Sequence, residues 1–598
     1  MTKKITYGFN TTNPPPQIPE LKPFEDDMFE LIRKIEYQPV QTDFQSKLKE
    51  DIQKIKNTQE IIVSADKSNN KYAIPVHDYK KILLENMTKE YKKSTIDNVQ
   101  ATNREAANLT NKLEISDRVD QFIEASPFIT VKDHKENFPS RVQCRLINPA
   151  KTNVGQISKQ ILEKAVRNVK TARGSNLWNN STQVVDWFKK LENKNRLTFF
   201  KFDVVSYYPS ITQKLFLETI QWTENFFKFS SEEKDVVLHA RKSFLFQNGD
   251  PWIKKNDEDF DVTMGSFDGA EVCELVGLYV LSKLEKLIDR KHIGLYRDDG
   301  LAVVDLTGVQ TERLRKQVFK LFKSLDLSVT INANITETDF LDIYLNLRQN
   351  TYQPFRKENS EILYIHACSN HPQTIKNQLP SMISKRISNI SCSKEIFESE
   401  APVYNNALHA AGYTTEIKFE DPQTNSNISE KKKRKRTRNV IWFNPPYNEN
   451  VKTNIGSKFL SLINKHFGST NLKKYFNRST VKLSYSCMPN MESIISSHNR
   501  RLLPQEPVSS TLTRPAKECN CRSGIHNCPM KGKCLSKSLI YRAEVSTNQG
   551  TMEYIGVASN TFKERYLNHT LWRTSLVGFC SFHELSLVPL PSSPIGGS

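Results

Sequence analysis

The sequence predicts an α+β protein, on three observations. Apolar strand-like runs bracket isolated acidic residues in mid-chain, helical stripes lie between and after them, and proline-rich or charged stretches separate the blocks. At 598 residues the length allows about four domains. The segments read as an N-terminal arm and helix (1–59), a mixed strand–helix block (60–348), a helical block (349–420), a basic linker (421–440), a basic helical connector (441–505), a Cys-rich segment (506–537) and a small α/β module (538–598). Lys and Arg total 85 against 66 Asp and Glu, a net charge of +19 that favours a polyanionic partner. No apolar stretch approaches the ~20 residues of a membrane span. Met1-Thr-Lys-Lys-Ile5 lacks the apolar region of a secretory signal, so a reducing compartment is expected.

In chain order, Ile61 to Lys67 opens ordered structure as an apolar strand ending in a polar turn. Thr198 to Phe202 reads as a buried strand, because β-branched and aromatic residues dominate it. Asp203 stands at its end, and Pro209 stops the extended run and opens a helix. From Gly269 to Leu287, Val272, Leu275, Val276, Tyr279, Val280, Leu284 and Leu287 recur at helical spacing, a stripe expected to pack under a sheet. Apolar runs at 292–295 and 301–304 flank Tyr296-Arg297-Asp298-Asp299. That is a β-hairpin with two carboxylates at its tip and Asp299-Gly300 as the expected turn pair.

Residues 370–412 read as helices, with Pro372 and Pro380 in first turns, Ile375, Leu379, Ile383 and Ile387 every four residues, and Gly412 as the stop. Lys376, Lys385 and Arg386 suit duplex phosphates or an ordinary solvated face. Asp421 to Glu430 is a polar linker, and Lys431 to Arg438 holds seven cations in eight residues. That run reads as a nuclear-localisation or nucleic-acid patch, and the nucleus is the expected compartment. Trp442-Phe-Asn-Pro-Pro-Tyr447 mimics the loop of amino-group DNA methyltransferases, but no Gly-rich turn for a methyl donor lies nearby. In 448–500, Phe459, Leu460, Leu462, Ile463 and Phe467 form one apolar face, and template contact or bridging both stay open.

A strand-end Asp203 and a hairpin-tip Asp298-Asp299 pair are what a two-metal phosphoryl-transfer site needs. Hard oxygen ligands hold two Mg²⁺ roughly 3.5–4 Å apart, one activating a hydroxyl and one stabilising the leaving phosphate. The bland readings are a helix cap for Asp203 and a surface turn for the pair. Cys519, Cys521, Cys528 and Cys534 are four of the ten cysteines, gathered within sixteen residues. In a reducing compartment they read as a structural Zn²⁺ site, with His526 able to replace one, or as unrelated thiols.

Phe202-Asp203 through Ile211 resembles motif A of reverse transcriptases, Met264 to Ala270 their motif B, and Tyr296 to Asp299 their Tyr-x-Asp-Asp motif C. Phe128 to Lys135 and Gln143 to Ile147 resemble the fingers hairpin, and Phe340-Leu-Asp-Ile343 the primer grip. The resemblance implies a right-hand polymerase with a helical thumb. It implies Lys132 and Arg145 on the incoming triphosphate, Gly265 close to the template–nucleotide pair, and Tyr208 as a steric gate. Asp203 and Asp298 would bridge Mg²⁺, with Asp299 supporting. RNA template, DNA primer or target, and deoxynucleoside triphosphates would be its partners.

Tyr364-Ile-His366, Ser369-Asn-His-Pro372 and Gln378-Leu-Pro380 narrow the resemblance to Penelope-like retroelements. The C-terminus resembles a GIY-YIG endonuclease, with Tyr541, Tyr554, Arg565, His569 and Glu584 as the implied residues. Leu539 replaces the first Gly, and a Pro- and Ser-rich tail replaces the helix due after Glu584, so a truncated module is expected. Two further readings stay open, a non-catalytic nucleic-acid-binding derivative and a nuclease-led protein with a scaffold polymerase. The oligomeric state is not legible.

Overall fold

The computed structural model describes residues 19–40, 42–113, 126–135, 137–255, 259–357, 361–421, 440–503, 528, 533–547, 550–563 and 582–589. The chain forms two compact units, one of residues 19–109 and 122–506, the other of 1–18, 110–121 and 507–598. The larger unit mixes helices and sheets, and the α+β class read from the sequence is the class observed there. No described helix is long and apolar enough to cross a membrane.

The larger unit opens with α1 (Lys22–Arg33), which carries a proline in its first turn. β1 (Glu60–Ser64) and β2 (Lys71–Pro75) pair antiparallel, as do β3 (Phe128–Val131) and β4 (Cys144–Ile147). A parallel bridge between Ala65 and Val131 ties the two hairpins together. Helix α2 (Asn153–Arg173) begins at Thr152, whose side chain accepts from the Gly155 amide, and ends on left-handed Gly174.

The central sheet contains β5 (Thr198–Val204). Helix α3 (Gly269–Leu284) precedes the hairpin of β6 (Ile293–Tyr296) and β7 (Asp299–Val304), and α4 (Gly308–Ser324) leads into β8 (Val329–Ile335). The order is β8-β5-β7-β6, all antiparallel. Alternation along β5 divides its aromatics between two layers. Phe202 meets Phe322 of α4 at 5.7 Å between ring centroids, while Phe199 stacks on Phe188 at 6.4 Å on the other face. Helix α3 is buried nearly all round, Leu278 and Leu281 included, rather than along one stripe, and it stops three residues before Leu287, which is exposed.

A meander of β9 (Glu337–Phe340), β10 (Ile343–Asn346) and β11 (Thr351–Pro354) follows. Helices α5 (Gln373–Asn389) and α6 (Lys394–Ala410) then bury Ile383, Ile387, Phe397, Tyr404 and Leu408 in one core with Phe199, Leu301, Val303, Phe340 and Ile343. Pro372 stands at the N-cap of α5 and Pro380 inside it, not in a first turn. Ile375 faces solvent, so the four-residue spacing overstates the buried stripe, which Ile383 and Ile387 carry. Gly412 adopts φ +81° just past α6, where a left-handed residue ends the helix.

β12 (Ile441–Phe443) and β13 (Val481–Leu483) pair in parallel, the chain between them carrying α7 (Ile455–Phe467). α1 packs on α7, with Phe24 and Phe467 centroids 5.2 Å apart and Asp27 bound to Lys465 at 2.6 Å and His466 at 2.7 Å. The N-terminal segment and the connector, separate stretches in the sequence, therefore share one small core. Helix α8 (Met491–Leu502) returns to β1, where the Asn499 side chain bonds both the amide and the carbonyl of Ile62.

In the smaller unit β14 (Lys537–Thr547), β15 (Gly550–Thr561) and β16 (Phe582–Pro589) form an antiparallel sheet ordered β15-β14-β16.

Candidate active site

The carboxylates meet because of strand register. Asp203, last but one in β5, lies directly opposite Asp299, first in β7, so both project from the same sheet face. The turn between β6 and β7 consists of Arg297 and Asp298, since Tyr296 pairs with Asp299. The expected Asp299-Gly300 turn is thus displaced by two residues. Arg297 takes the left-handed conformation at φ +53°, a strained state for a non-glycine residue that a two-residue hairpin loop demands. Gly300 instead lies in β7 under the Phe202 ring, where an added Cβ would stand 2.0 Å from a ring carbon. The Asp298 carbonyl accepts from the Val204 amide at 3.1 Å, which holds the tip against the end of β5.

Electrostatics link all three acids. Burial first, then the Asp298 charge, raises Asp203 above the usual carboxylate range. Asp299 is pushed up to about 6 by burial, then by Asp298 and Asp203. Mutual repulsion of this kind is relieved by a cation, and carboxylate oxygens are the donors that Mg²⁺ takes. Among the described residues no three acidic, His or Cys side chains are already closed into a metal cage. The donor set suits the ion, and its side chains would have to draw together to bind it.

Opposite charges come from the two N-terminal hairpins and from β5 itself. Lys67, Lys201 and Lys135 all act on Asp203 in the lowering sense. Lys201 is held by the Asp339 carbonyl at 2.7 Å and carboxylate at 2.9 Å. Lys132 follows β3, and its pKa is lowered by burial and by the Arg145 charge. Arg145 lies in β4, its Nε 3.2 Å from Asp66 Oδ1. Asp66 is nearly buried, and its amide donates to the Val131 carbonyl at 2.7 Å. Asp133 accepts from Asn70 Nδ2 and Tyr72 Oη, each at 3.0 Å, and from Ser68. Asp66 and Asp133 thus fasten the β1–β2 tip to the β3–β4 hairpin and fix where Lys67, Lys132, Lys135 and Arg145 stand. The sequence shows Asp66 and Lys67 only as part of the polar turn that ends the Ile61 to Lys67 run. Their only signal was a charged pair directly after an apolar strand.

Gly265 has no room for a side chain, because a Cβ would lie 2.2 Å from the Asn148 carbonyl oxygen. Packing within the protein already requires glycine there. Asp268, three residues on, pairs with Arg241, and both are fully buried. Tyr208 is half-buried, its hydroxyl raised by burial and by Cys273 and close enough to feel Arg297 and Asp298. Its neighbour Tyr207 donates to the Cys273 carbonyl at 3.0 Å. Lys376 is buried and paired with Glu449 at 3.6 Å, so it presents no open charge for duplex phosphates, whereas Arg386 pairs with Asp342 at 2.5 Å and stays exposed. Lys385 is exposed.

In the smaller unit Tyr541 is buried and faces Gly556 across β14–β15, while Tyr554 pairs with Ala543. Glu584 sits in β16 opposite Ser546, on the other side of β14 from Tyr554. Arg565 and His569 lie outside the described residues, as do Cys519, Cys521 and the run Lys431 to Arg438. Cys528 and Cys534 are both buried.

No protein-family model matches the chain, and no curated protein matches it. The chain is similar to solved structures, among them the following three. Telomerase from Candida albicans in complex with a fragment of telomeric RNA has a TM-score of 0.41 at 11% identity, over 69% of this chain and 70% of that one. Apo telomerase from Candida tropicalis truncated from its C-terminal domain has 0.36 at 11%, over 49% and 63%. The RNA-dependent RNA polymerase of a human picobirnavirus has 0.33 at 8%, over 57% and 73%. The chain thus spans less than two thirds of the truncated telomerase.

Proposed function

We propose that this chain is a reverse transcriptase, extending a primer 3′-hydroxyl with deoxynucleoside triphosphates on an RNA template. The observation that supports it most is the Asp203–Asp299 register beside the Arg297–Asp298 turn, facing cations from the two N-terminal hairpins. Two Mg²⁺ held by Asp203 and Asp298 would activate the hydroxyl and neutralise the leaving pyrophosphate. Lys132, Arg145 and Lys67 bind the triphosphate, and Tyr208 meets the sugar face of the nucleotide. Nearly all the rate enhancement then comes from positioning and charge neutralisation.

The finer reading is a Penelope-like element protein that works in the nucleus. Its C-terminal sheet would belong to a DNA-nicking module using Tyr541, Tyr554, Arg565, His569 and Glu584, with Zn²⁺ on Cys519, Cys521, Cys528 and Cys534.

Purified full-length protein with Mg²⁺ should extend a DNA primer on RNA, and no extension on RNA or DNA templates would overturn the proposal. Tyr208→Ala should admit ribonucleotides, and unchanged sugar selectivity would remove the gate. Nicking of supercoiled plasmid, lost in Arg565→Ala, tests the nuclease separately, and metal analysis finding no zinc would refute the thiolate site.

A further inference from the structure

The connector between the helical block and the Cys-rich segment carries a surface that the polymerase reading does not use. Residues 441–503 hold nine Lys and Arg against two Glu, the latter being Glu449 and Glu492. Both acids are engaged, Glu449 with buried Lys376 and Glu492 with Lys71 at 2.8 Å. The β12–β13 pair packs one face on α7 through Phe443 and Val481, while Ile441 on that face stays 44% exposed. Phe443 stacks on Phe459 of α7 at 3.9 Å, and Val481 is buried beside it. The outer face carries Trp442 directly opposite Lys482, with the tryptophan 58% exposed. A hydrogen-bonded loop ties the backbone of a second exposed aromatic residue to β12, because Thr480 Oγ donates to the Tyr475 carbonyl at 2.6 Å and its own carbonyl accepts from the Ile441 amide at 2.8 Å. Tyr475 is 53% exposed, and Lys474 Nζ lies 4.9 Å from its ring centre.

Two bare rings among cations, on a module whose own core is already complete, have no packing role. A membrane surface would want a cluster of aliphatic side chains around them, where β12 exposes only Ile441, and an acidic protein would not need flat aromatic faces. Unpaired bases need both a stacking surface and backbone neutralisation. We propose that the 441–483 module is a single-strand nucleic-acid platform, with Trp442 and Tyr475 stacking bases and Lys482 and Lys474 on the flanking phosphates. It rests on the reading that the chain handles nucleic acid, but not on its being a polymerase.

The test is equilibrium binding of fluorescein-labelled unpaired 12-mers, RNA and DNA in separate arms, to the full-length protein in EDTA without nucleotides. Omitting Mg²⁺ keeps this readout apart from primer extension, so either reading can fail alone. Trp442→Ala and Tyr475→Ala should each weaken binding roughly 5- to 150-fold, the loss of one stacked base. Trp442→Phe should keep most of the affinity, which a folding defect would not allow. Lys482→Gln should flatten the dependence of log affinity on log salt by about 0.7, one single-strand phosphate contact. Wild-type affinity in both alanine variants would overturn the proposal, as would an equal loss in Trp442→Phe. So would a blunt 12-base-pair duplex that binds as tightly as the single strands and loses as much, because stacking requires open bases. If only the RNA arm responds, the platform reads RNA, and equal response in both arms supports a sugar-independent platform.

Discussion

Asp299 is pushed up to about 6 by burial first, and then by the charges of Asp298 and Asp203. A carboxyl whose folded pKa is raised from 3.8 to about 6 contributes stability that is fully present below pH 3.8 and is lost as pH rises through 6. At pH 7.5 the metal-free protein is therefore destabilised by this group, on the order of 1–3 kcal/mol. Asp299→Asn should raise the thermal midpoint in EDTA at pH 7.5, and the gain should shrink as pH falls below 6. An unchanged midpoint at pH 7.5 would contradict the assigned environment. The same linkage makes Mg²⁺ affinity fall on acidification, because protonated carboxyls do not bind metal. Sequence alone placed all three acids at strand ends and a turn. It missed which residues turn, because Asp-Gly is a strong hairpin signal and the glycine was needed for a different reason, the ring of Phe202 lying over it.

At the scale of elements, that ring and glycine give a direct check on the β5–β7 register. Gly300→Ala forces a methyl group into Phe202 and should cost about 1–3 kcal/mol, as overpacked cores do. Adding Phe202→Leu should recover part of the loss, and a double variant no better than the single one would mean the contact is not made. The N-terminal hairpins offer a second check. Asp66→Ala leaves Arg145 without its partner and frees the β1–β2 tip, so KM for deoxynucleotide should rise about tenfold with kcat less affected. A loss confined to kcat would instead place Asp66 in the chemical step. Asp66 was not readable as an anchor, because its partner lies 79 positions away and no local pattern announces a pairing that only the fold creates. The helical block was legible in outline, while the mid-helix Pro380 was misplaced, since burial of Ile383 and Ile387 holds the helix through a residue that would end an isolated one.

At the scale of the whole molecule, the larger unit closes on itself through contacts between its distant ends. α1 packs on α7, and α8 on β1, over more than 400 intervening positions. Linear segmentation separated these stretches because composition changes along the chain while apolar faces pair across it. The coupling is measurable. In a double-mutant cycle, Phe24→Ala and Phe467→Ala should interact by about 0.5–1.5 kcal/mol, the usual range for touching aromatics. Strictly additive effects would show that α1 does not belong to the connector core. If the chain binds nucleic acid as proposed, its net charge of +19 should make the affinity fall steeply with salt, so every binding comparison belongs at one ionic strength.

In the proposed function Asp203, Asp298 and Asp299 work as one centre for nucleotide addition, and the Asp298→Asn variant tests that most directly. Assayed beside the wild type for primer extension on an RNA template in Mg²⁺, with template–primer binding measured in the same preparation, it should bind normally and extend at less than about a thousandth of the wild-type rate. Extension at the wild-type rate by Asp298→Asn would contradict the account.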